Sequence, residues 1–243
     1  MEKKEWQKHS VVLKELFNLE YSPVAVSCSQ EPLKLEEKKV RICRAILDAG
    51  RGQTLQVGKK TNACFGAGWH LGFHRLNNPK VSKLIENFVV KGEKLFSSCQ
   101  ALGNIVRDMP EPPDNSKNYF LLAPLASAEF KPQVVIFVCN PEAACRLFTF
   151  ITFTDGLMPK IKIGGPTCRL AVIYPMVTGE VNLSFYDYTA RKMCNVDKDK
   201  LLVSIPYKRI PKIIEDIDKC SAGTAKIEYP REFKEFLQKQ LTK

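Results

Sequence analysis

A strand that must be buried on both faces sets the strongest limit on how this chain folds. Residues 134–139 read Val-Val-Ile-Phe-Val-Cys, with no polar residue at alternate positions. Successive side chains of a strand point to opposite faces of the sheet, so a wholly apolar run is typical of a strand covered on both sides. The sequence therefore predicts a sheet with packing elements against each of its faces.

Helical and strand patterns alternate irregularly around this strand. Apolar residues at three-four spacing predict helices over residues 5–19, 36–49, 79–90, 95–108, 141–150, 210–219 and 230–240. Short β-rich runs predict strands over residues 24–28, 54–57, 119–122, 160–163, 181–185 and 201–205. Because no steady βαβ rhythm appears, we expect an α+β fold, a mixed sheet with helices packed around it.

The chain length fits one domain, with one candidate break. At 243 residues the chain lies near the upper size of a single domain. The proline-rich segment at residues 109–116 is the clearest interruption of the pattern. We therefore predict a single domain over residues 1–243, or two closely packed halves that meet near this segment.

Charge and apolar content exclude several classes of protein. The 37 Lys and Arg residues outnumber the 26 Asp and Glu residues, which gives a net charge of +11. The cations are scattered in pairs and lack the aromatic interleaving of RNA-binding motifs, so we expect attraction of small anions and no nucleic-acid binding. No apolar run is long enough to span a membrane, and the N-terminus has no apolar signal core. We expect a cytoplasmic protein that does not bind membranes.

The nine cysteines indicate reduced thiols or metal ligation. The count is odd, and without a secretory signal disulfides are not expected. No Cys-x-x-Cys pair occurs, which argues against zinc ribbons, thioredoxin motifs and ferredoxin-type runs. This composition suits a reducing and anaerobic setting.

The densest group of reactive side chains lies in residues 61–73, Thr-Asn-Ala-Cys-Phe-Gly-Ala-Gly-Trp-His-Leu-Gly-Phe. Cys64 is expected at the start of a turn or helix, and Gly66 and Gly68 allow another group to approach the backbone closely. His70 is a candidate proton donor beside Cys64; the alternative is a core histidine with satisfied hydrogen bonds. Together with Lys59 and Lys60, the glycines also fit loose phosphate binding.

Two further cysteines have related surroundings. Cys168 follows Gly-Gly-Pro-Thr, in which Gly165 again permits close approach, and Cys43 lies on the buried stripe of a predicted helix. Backbone N–H groups beside glycine can point at anionic sulfur, which suits a metal or an iron–sulfur cluster. The alternative is that Cys43, Cys64 and Cys168 are ordinary buried cysteines, since cysteine is among the most buried residue types.

An ordered series of blocks resembles the uncharacterised family called domain of unknown function 169, found in archaea and anaerobic bacteria. The blocks are Asn18-Leu-Glu-Tyr-Ser-Pro-Val-Ala-Val, Cys43-Arg-Ala-Ile-Leu-Asp-Ala-Gly, Cys64-Phe-Gly-Ala-Gly-Trp-His-Leu-Gly-Phe, Cys139-Asn-Pro-Glu-Ala-Ala, the Gly-Gly-Pro-Thr-Cys168 turn and Leu202-Val-Ser-Ile-Pro206. The resemblance implies that Cys43, Cys64 and Cys168 occupy cysteine positions of the family pattern. The family has no assigned activity, so the resemblance implies no particular reaction. The chain departs from the family at Ala67, where glycine is common, and at residues 187–190.

Two hypotheses of function follow. The first is an iron–sulfur or metal-binding protein that uses Cys43, Cys64 and Cys168 in a redox or sulfur-handling role. The second is a metal-free module that holds a small anion or nucleotide through Gly66, Gly68 and Gly165, with structural cysteines. A redox partner protein fits either hypothesis. The sequence leaves open the substrate, the oligomeric state and a fourth ligand, for which Cys99, Cys194 and His70 are candidates.

Overall fold

A six-stranded antiparallel sheet forms the centre of the molecule. The computed structural model describes residues 4–74, 79–224 and 226–241. The strands are β1 (Val24–Ser29), β2 (Leu55–Gly58), β3 (Tyr119–Pro124), β4 (Val134–Cys139), β5 (Asn182–Ser184) and β6 (Leu201–Pro206). They lie in the order β2-β3-β1-β4-β6-β5, and neighbouring strands in this order pair antiparallel. The α+β prediction is confirmed.

Helices cover the sheet on both faces. They are α1 (Glu5–Leu16), α2 (Ile42–Gly50), α3 (Phe65–His70), α4 (Pro79–Glu86), α5 (Cys99–Arg107), α6 (Pro141–Phe153), α7 (Tyr174–Thr178), α8 (Tyr188–Cys194), α9 (Ile210–Glu215), α10 (Ser221–Thr224) and α11 (Arg231–Leu241). Two π-helical segments, Asn87–Gly92 and Cys168–Ile173, and a 3₁₀ turn, Tyr207–Arg209, complete the set. No helix in the described ranges is long and apolar enough to cross a membrane.

Strand β4 is buried on both faces, as predicted. Val134 and Ile136 pack into a core that contains α2 and the segment Cys168–Ile173, whereas Val135 and Phe137 pack into a second core with α1, α6 and α9. All six β4 residues are at most 3% exposed. The sheet therefore separates two apolar cores, and it pairs β1 with strands that follow residues 110–113.

Two predicted elements differ from the structure for identifiable reasons. The helix predicted from residue 36 begins only at Ile42, because residues 36–39 are exposed charged residues and Val40 forms a bridge with Asn62. The strand predicted at residues 160–163 is wrong. The Lys162 backbone instead exchanges hydrogen bonds with the Asn182 side chain, at 2.8 and 2.9 Å, so these backbone groups have partners outside any sheet ladder.

Candidate functional site

The three cysteines singled out in the sequence meet at one cavity. It has a volume of about 340 Å³ and lies on the α2 side of the sheet, and Cys43, Cys64 and Cys168 all line it. This volume is within the range of pockets that bind small molecules. The fold therefore brings together residues that are more than a hundred positions apart in the sequence.

A different local structure positions each thiol. Cys43 is the second residue of α2, and its side chain is buried on the inner face. Cys64 is the N-cap of α3: its sulfur accepts a hydrogen bond from the Ala67 backbone N–H at 3.5 Å. Cys168 is the first residue of the π-helical segment Cys168–Ile173. The prediction that Cys64 lies at a helix start is confirmed.

A fourth cysteine lies next to the first. The sulfurs of Cys43 and Cys194 are 3.5 Å apart, and both side chains are buried. The hydrogen bond to Cys194 and burial raise the pKa of Cys43, whereas the same bond, with Arg44 and Arg41 nearby, lowers the pKa of Cys194. A negative charge on this thiol pair is therefore favoured at Cys194, which lies near Arg44 and Arg41.

Asp187 also lines the cavity. Its carboxylate accepts hydrogen bonds from the Thr167 backbone N–H at 3.0 Å, from the Thr167 hydroxyl at 2.8 Å and from the Ala190 N–H at 2.8 Å. Burial, followed by the negative charges of Asp187 and Cys64, raises the pKa of Cys168 well above its usual value. Asp187 thus holds the Cys168 turn against α8, which it caps.

Asp187 was not among the site residues predicted from the sequence, and Cys194 was named there only as one candidate for a fourth ligand. In the sequence, Asp187 belongs to a polar run that reads as a solvated loop, and Cys194 is separated from Cys43 by 151 positions. The available signal was the Asp-x-x-Ala pattern of a helix N-cap, which would have marked the start of α8.

Two buried polar atoms at the cavity have no hydrogen-bond partner within the described ranges: the Tyr186 hydroxyl and Nδ1 of His70. Burial, with a smaller contribution from Arg169, lowers the pKa of His70 to about 3, so its ring is neutral near pH 7. The ring packs on Trp69 with centroids 4.3 Å apart. The predicted role of His70 as a proton donor is therefore restricted to the neutral ring.

The three glycines predicted to contact a cofactor separate into two groups. Gly66 and Gly165 line the cavity. A Cβ atom on Gly165 would lie 2.9 Å from the Leu170 side chain, so a larger residue would force that side chain to move. Gly68 instead faces His74, at 2.7 Å from the position of its missing Cβ, and is not part of the cavity lining.

The opposite wall of the cavity is apolar. It comes from the Asn87–Gly92 segment, α5 and the loop between them: Phe88, Val89, Leu95, Phe96, Leu102 and Ile105. One acidic residue interrupts this wall. Burial raises the pKa of Glu93, while a hydrogen bond from Thr189 opposes that shift. The site thus has a thiol-rich wall facing an apolar wall.

The side chains expected to hold an anion lie elsewhere. Lys59 and Lys60 are exposed in the turn after β2 and are not among the residues that line the thiol cavity. Among the other cations, the Arg191 guanidinium donates hydrogen bonds to backbone carbonyls, at 2.9 Å from Asp197 and 2.5 Å from Lys200. In the ranges 4–74, 79–224 and 226–241, no three His, Cys, Asp or Glu side chains are grouped closely enough to hold a single metal ion.

The chain matches a known protein family over most of its length. A family model described as Uncharacterised ArCR, DUF169, matches residues 12–216. The chain belongs to the DUF169 family. The match includes the three cavity cysteines and Cys194, and it stops before α10 and α11. No curated protein and no solved structure matches this DUF169 chain.

Proposed function

We propose that this DUF169 protein binds an iron–sulfur cluster through Cys43, Cys64 and Cys168 and serves a redox or sulfur-handling role. The observation that carries the proposal is the convergence of these three thiols on one cavity. An iron–sulfur cluster is held by thiolates attached to different iron atoms, so its ligands lie further apart than those of one ion. This difference favours a cluster over a single metal ion, for which the described residues offer no preformed group.

The cavity supplies hydrogen-bond donors as well as ligands. The Tyr186 hydroxyl and the ring of His70 are buried polar groups with atoms that lack partners in the described chain, and both line the cavity. Hydrogen bonds to cluster sulfurs are among the factors that set its reduction potential. Tyr186 and neutral His70 are suited to that role, and three protein thiolates would leave a fourth position without a protein thiolate.

The thiols of Cys43 and Cys168 must lose their protons before they can bind iron. Burial holds the pKa of Cys168 above its usual value, and the Cys194 bond and burial do so for Cys43. Because only the thiolate is a ligand, loading requires these thiols to lose protons. We expect cluster uptake to strengthen as pH rises.

The free thiols suit a reducing cytoplasm of the kind found in anaerobes. All nine cysteines are unbridged in the structure. The positive net charge of +11 favours a small anionic substrate or an acidic redox partner. The proposal includes no contact with nucleic acid or membrane.

Anaerobic purification from iron-replete cells, followed by a visible spectrum and iron and sulfide assays, tests the proposal. We expect a brown protein with matched iron and sulfide. The Cys43→Ser, Cys64→Ser and Cys168→Ser variants should each lose most of the iron. Cys145→Ser is the matched control, because Cys145 is exposed on α6 and lies outside the cavity.

Two results would contradict the cluster. One is a colourless protein that stays free of iron after chemical reconstitution. The other is an iron content that is equal in the cavity variants and in Cys145→Ser. Circular dichroism of each variant checks that a loss of iron does not reflect a loss of fold.

A second candidate is metal-free binding of a small, largely apolar molecule. The observation that favours it is the apolar wall formed around Phe88, Phe96 and Leu102. Native mass spectrometry of the gently purified protein tests it: a bound organic mass that persists in Cys64→Ala would support this candidate over the cluster. The described lining holds the cation Arg41 beside an apolar wall and the carboxylates of Asp187 and Glu93, so this cavity gives less support to the anion or nucleotide hypothesis.

A further inference from the structure

A second cavity lies behind the wall of the first. Its volume is about 300 Å³, and its lining includes Trp69, Gly72, Arg107 and Arg169. Adjacent residues divide the two spaces, because Cys168 lines the thiol cavity while Arg169 lines the second one. His70 and Trp69 divide in the same way, and Met109 lines both.

Arg169 is the unusual group in this second cavity. It is 2% exposed, although a buried cation is costly unless it is paired. Its guanidinium lies over the Trp69 ring, 5.6 Å from the centroid, and Nη1 donates a hydrogen bond to the Pro110 carbonyl at 2.5 Å. Nε has no hydrogen-bond partner in the described part of the chain.

The side of the guanidinium that carries Nε has the geometry to bind an oxyanion. Nε and Nη2 form the side-on fork with which arginine binds carboxylate or phosphate in a bidentate manner, and the Pro110 bond uses the other side. Arg107 adds a second positive charge to the lining. Glu111 lines the same cavity and opposes these cations in part, since its charge favours protonated Arg169.

We propose that the second cavity binds the carboxylate or phosphate group of a small ligand through the side-on fork of Arg169, with Arg107 as a supporting cation. This anion site is independent of the cluster proposal, because it shares no ligating residue with the thiol cavity. The sequence suggested an anion at the glycine-rich stretch beside Lys59 and Lys60. The proposed site lies instead behind α3.

Tryptophan fluorescence provides a direct test. The chain has two tryptophans, so Trp6→Phe leaves Trp69 as the only one, with the Arg169 guanidinium stacked on it. Sodium phosphate and sodium acetate are titrated separately against sodium chloride at matched ionic strength. We expect a saturable change in Trp69 emission with phosphate or with acetate, and none with chloride. The salt that saturates at lower concentration identifies the class of anion.

Two variants in the same background assign the site. Arg169→Lys keeps the positive charge but lacks the fork, so the apparent Kd should rise about tenfold or more. Arg107→Gln should weaken binding by a smaller factor. The absence of a saturable change, or an unaltered Kd in Arg169→Lys, overturns the proposal.

A measurement on the unaltered protein covers the case in which Arg169→Lys does not fold. The Arg169 Nε–H resonance in a ¹⁵N spectrum should shift with the same apparent Kd as the Trp69 emission. An Nε–H resonance that does not respond to either anion overturns the proposal without any variant.

Discussion

The buried neutral ring of His70 predicts a specific loss of stability in mild acid. In the folded protein the pKa of His70 is lowered to about 3, mainly by burial, from an ordinary value of 6.5. In the unfolded chain the ring takes up a proton near its ordinary pKa, whereas in the folded chain it stays neutral. Protons therefore favour the unfolded state, and stability falls as pH decreases from about 6.5 towards 3.

The size of the effect follows from the gap between the two pKa values. Each unit of pH below the ordinary pKa costs about 1.4 kcal/mol until the folded-state pKa is reached. At about pH 5 the unfolded chain is roughly 1.5 units below that pKa, so His70 alone should lower the free energy of unfolding by about 2 kcal/mol. Because the His70 side chain is buried, solvent screening does not reduce this contribution to the free energy of unfolding.

Urea unfolding followed by fluorescence at about pH 7.5 and about pH 5 measures this quantity. The readout is the change in unfolding free energy between the two pH values, compared between the wild type and His70→Gln. We expect the variant to lose about 2 kcal/mol less than the wild type on acidification, whatever its stability at neutral pH. His9→Gln is the control, because His9 is only partly buried and should account for less of the loss.

An equal loss in the wild type and in His70→Gln would refute the reasoning. It would mean that the folded protein accepts a proton on His70 near the ordinary pKa. The ring would then have access to water or to an acceptor, and its role at the thiol cavity would change from neutral hydrogen-bond donor to titrating acid.

Three further predictions concern other parts of the chain. Oxidised glutathione should link Cys43 to Cys194 through a disulfide, because their sulfurs are in contact: the Cys194 thiolate forms a mixed disulfide, and Cys43 then displaces reduced glutathione. Intact mass spectrometry should show the loss of two hydrogens. The same loss in Cys194→Ser would contradict this assignment. Gly72→Ala should lower the free energy of unfolding by at least about 2 kcal/mol, because φ is +82° and the new Cβ would lie against the Pro113 carbonyl oxygen. Gly52→Ala is the control: φ is also positive but the space is open, so the loss should be about 1 kcal/mol. Equal losses of unfolding free energy in urea would argue against the close packing of Gly72. Truncation after residue 226 removes α11, whose described side chains are exposed. The free energy of unfolding, measured by thermal unfolding, should therefore change by less than about 0.5 kcal/mol. A larger loss would show that α11 packs on the fold or on a partner.

Much of the fold could be predicted because its strongest signals are local. The apolar run of β4 predicted burial on both faces, and both cores are observed. Cys64 was predicted at the start of a turn or helix, and it is the N-cap of α3. The six-residue π-helical segment Cys168–Ile173 gave no such signal, since an apolar run without polar alternation fits a strand or a helix equally well.

The candidate site was predictable only in part, because the glycines next to its cysteines are visible in the sequence but its contacts between distant residues are not. Glycine beside Cys64 and Cys168 marked those thiols, the buried stripe of a predicted helix marked Cys43, and the family resemblance supported all three. The contact between Cys43 and Cys194 arises where α2 packs against α8, and no sequence pattern encodes such a pairing. The carboxylate of Asp187 reads as solvated in sequence, yet three hydrogen bonds turn it inward.

The division of Cys168 and Arg169 between two cavities has a consequence for how ligands would influence each other. One peptide bond joins the two residues, so a shift of this backbone on ligand binding at one cavity would also reposition the side chain at the other. Thermodynamic linkage then requires reciprocity: if an anion at Arg169 changes the affinity of the thiol cavity, a ligand at the thiols changes anion affinity by the same factor. A protein with this arrangement can sense one ligand by its affinity for the other, without a hinge or a second domain.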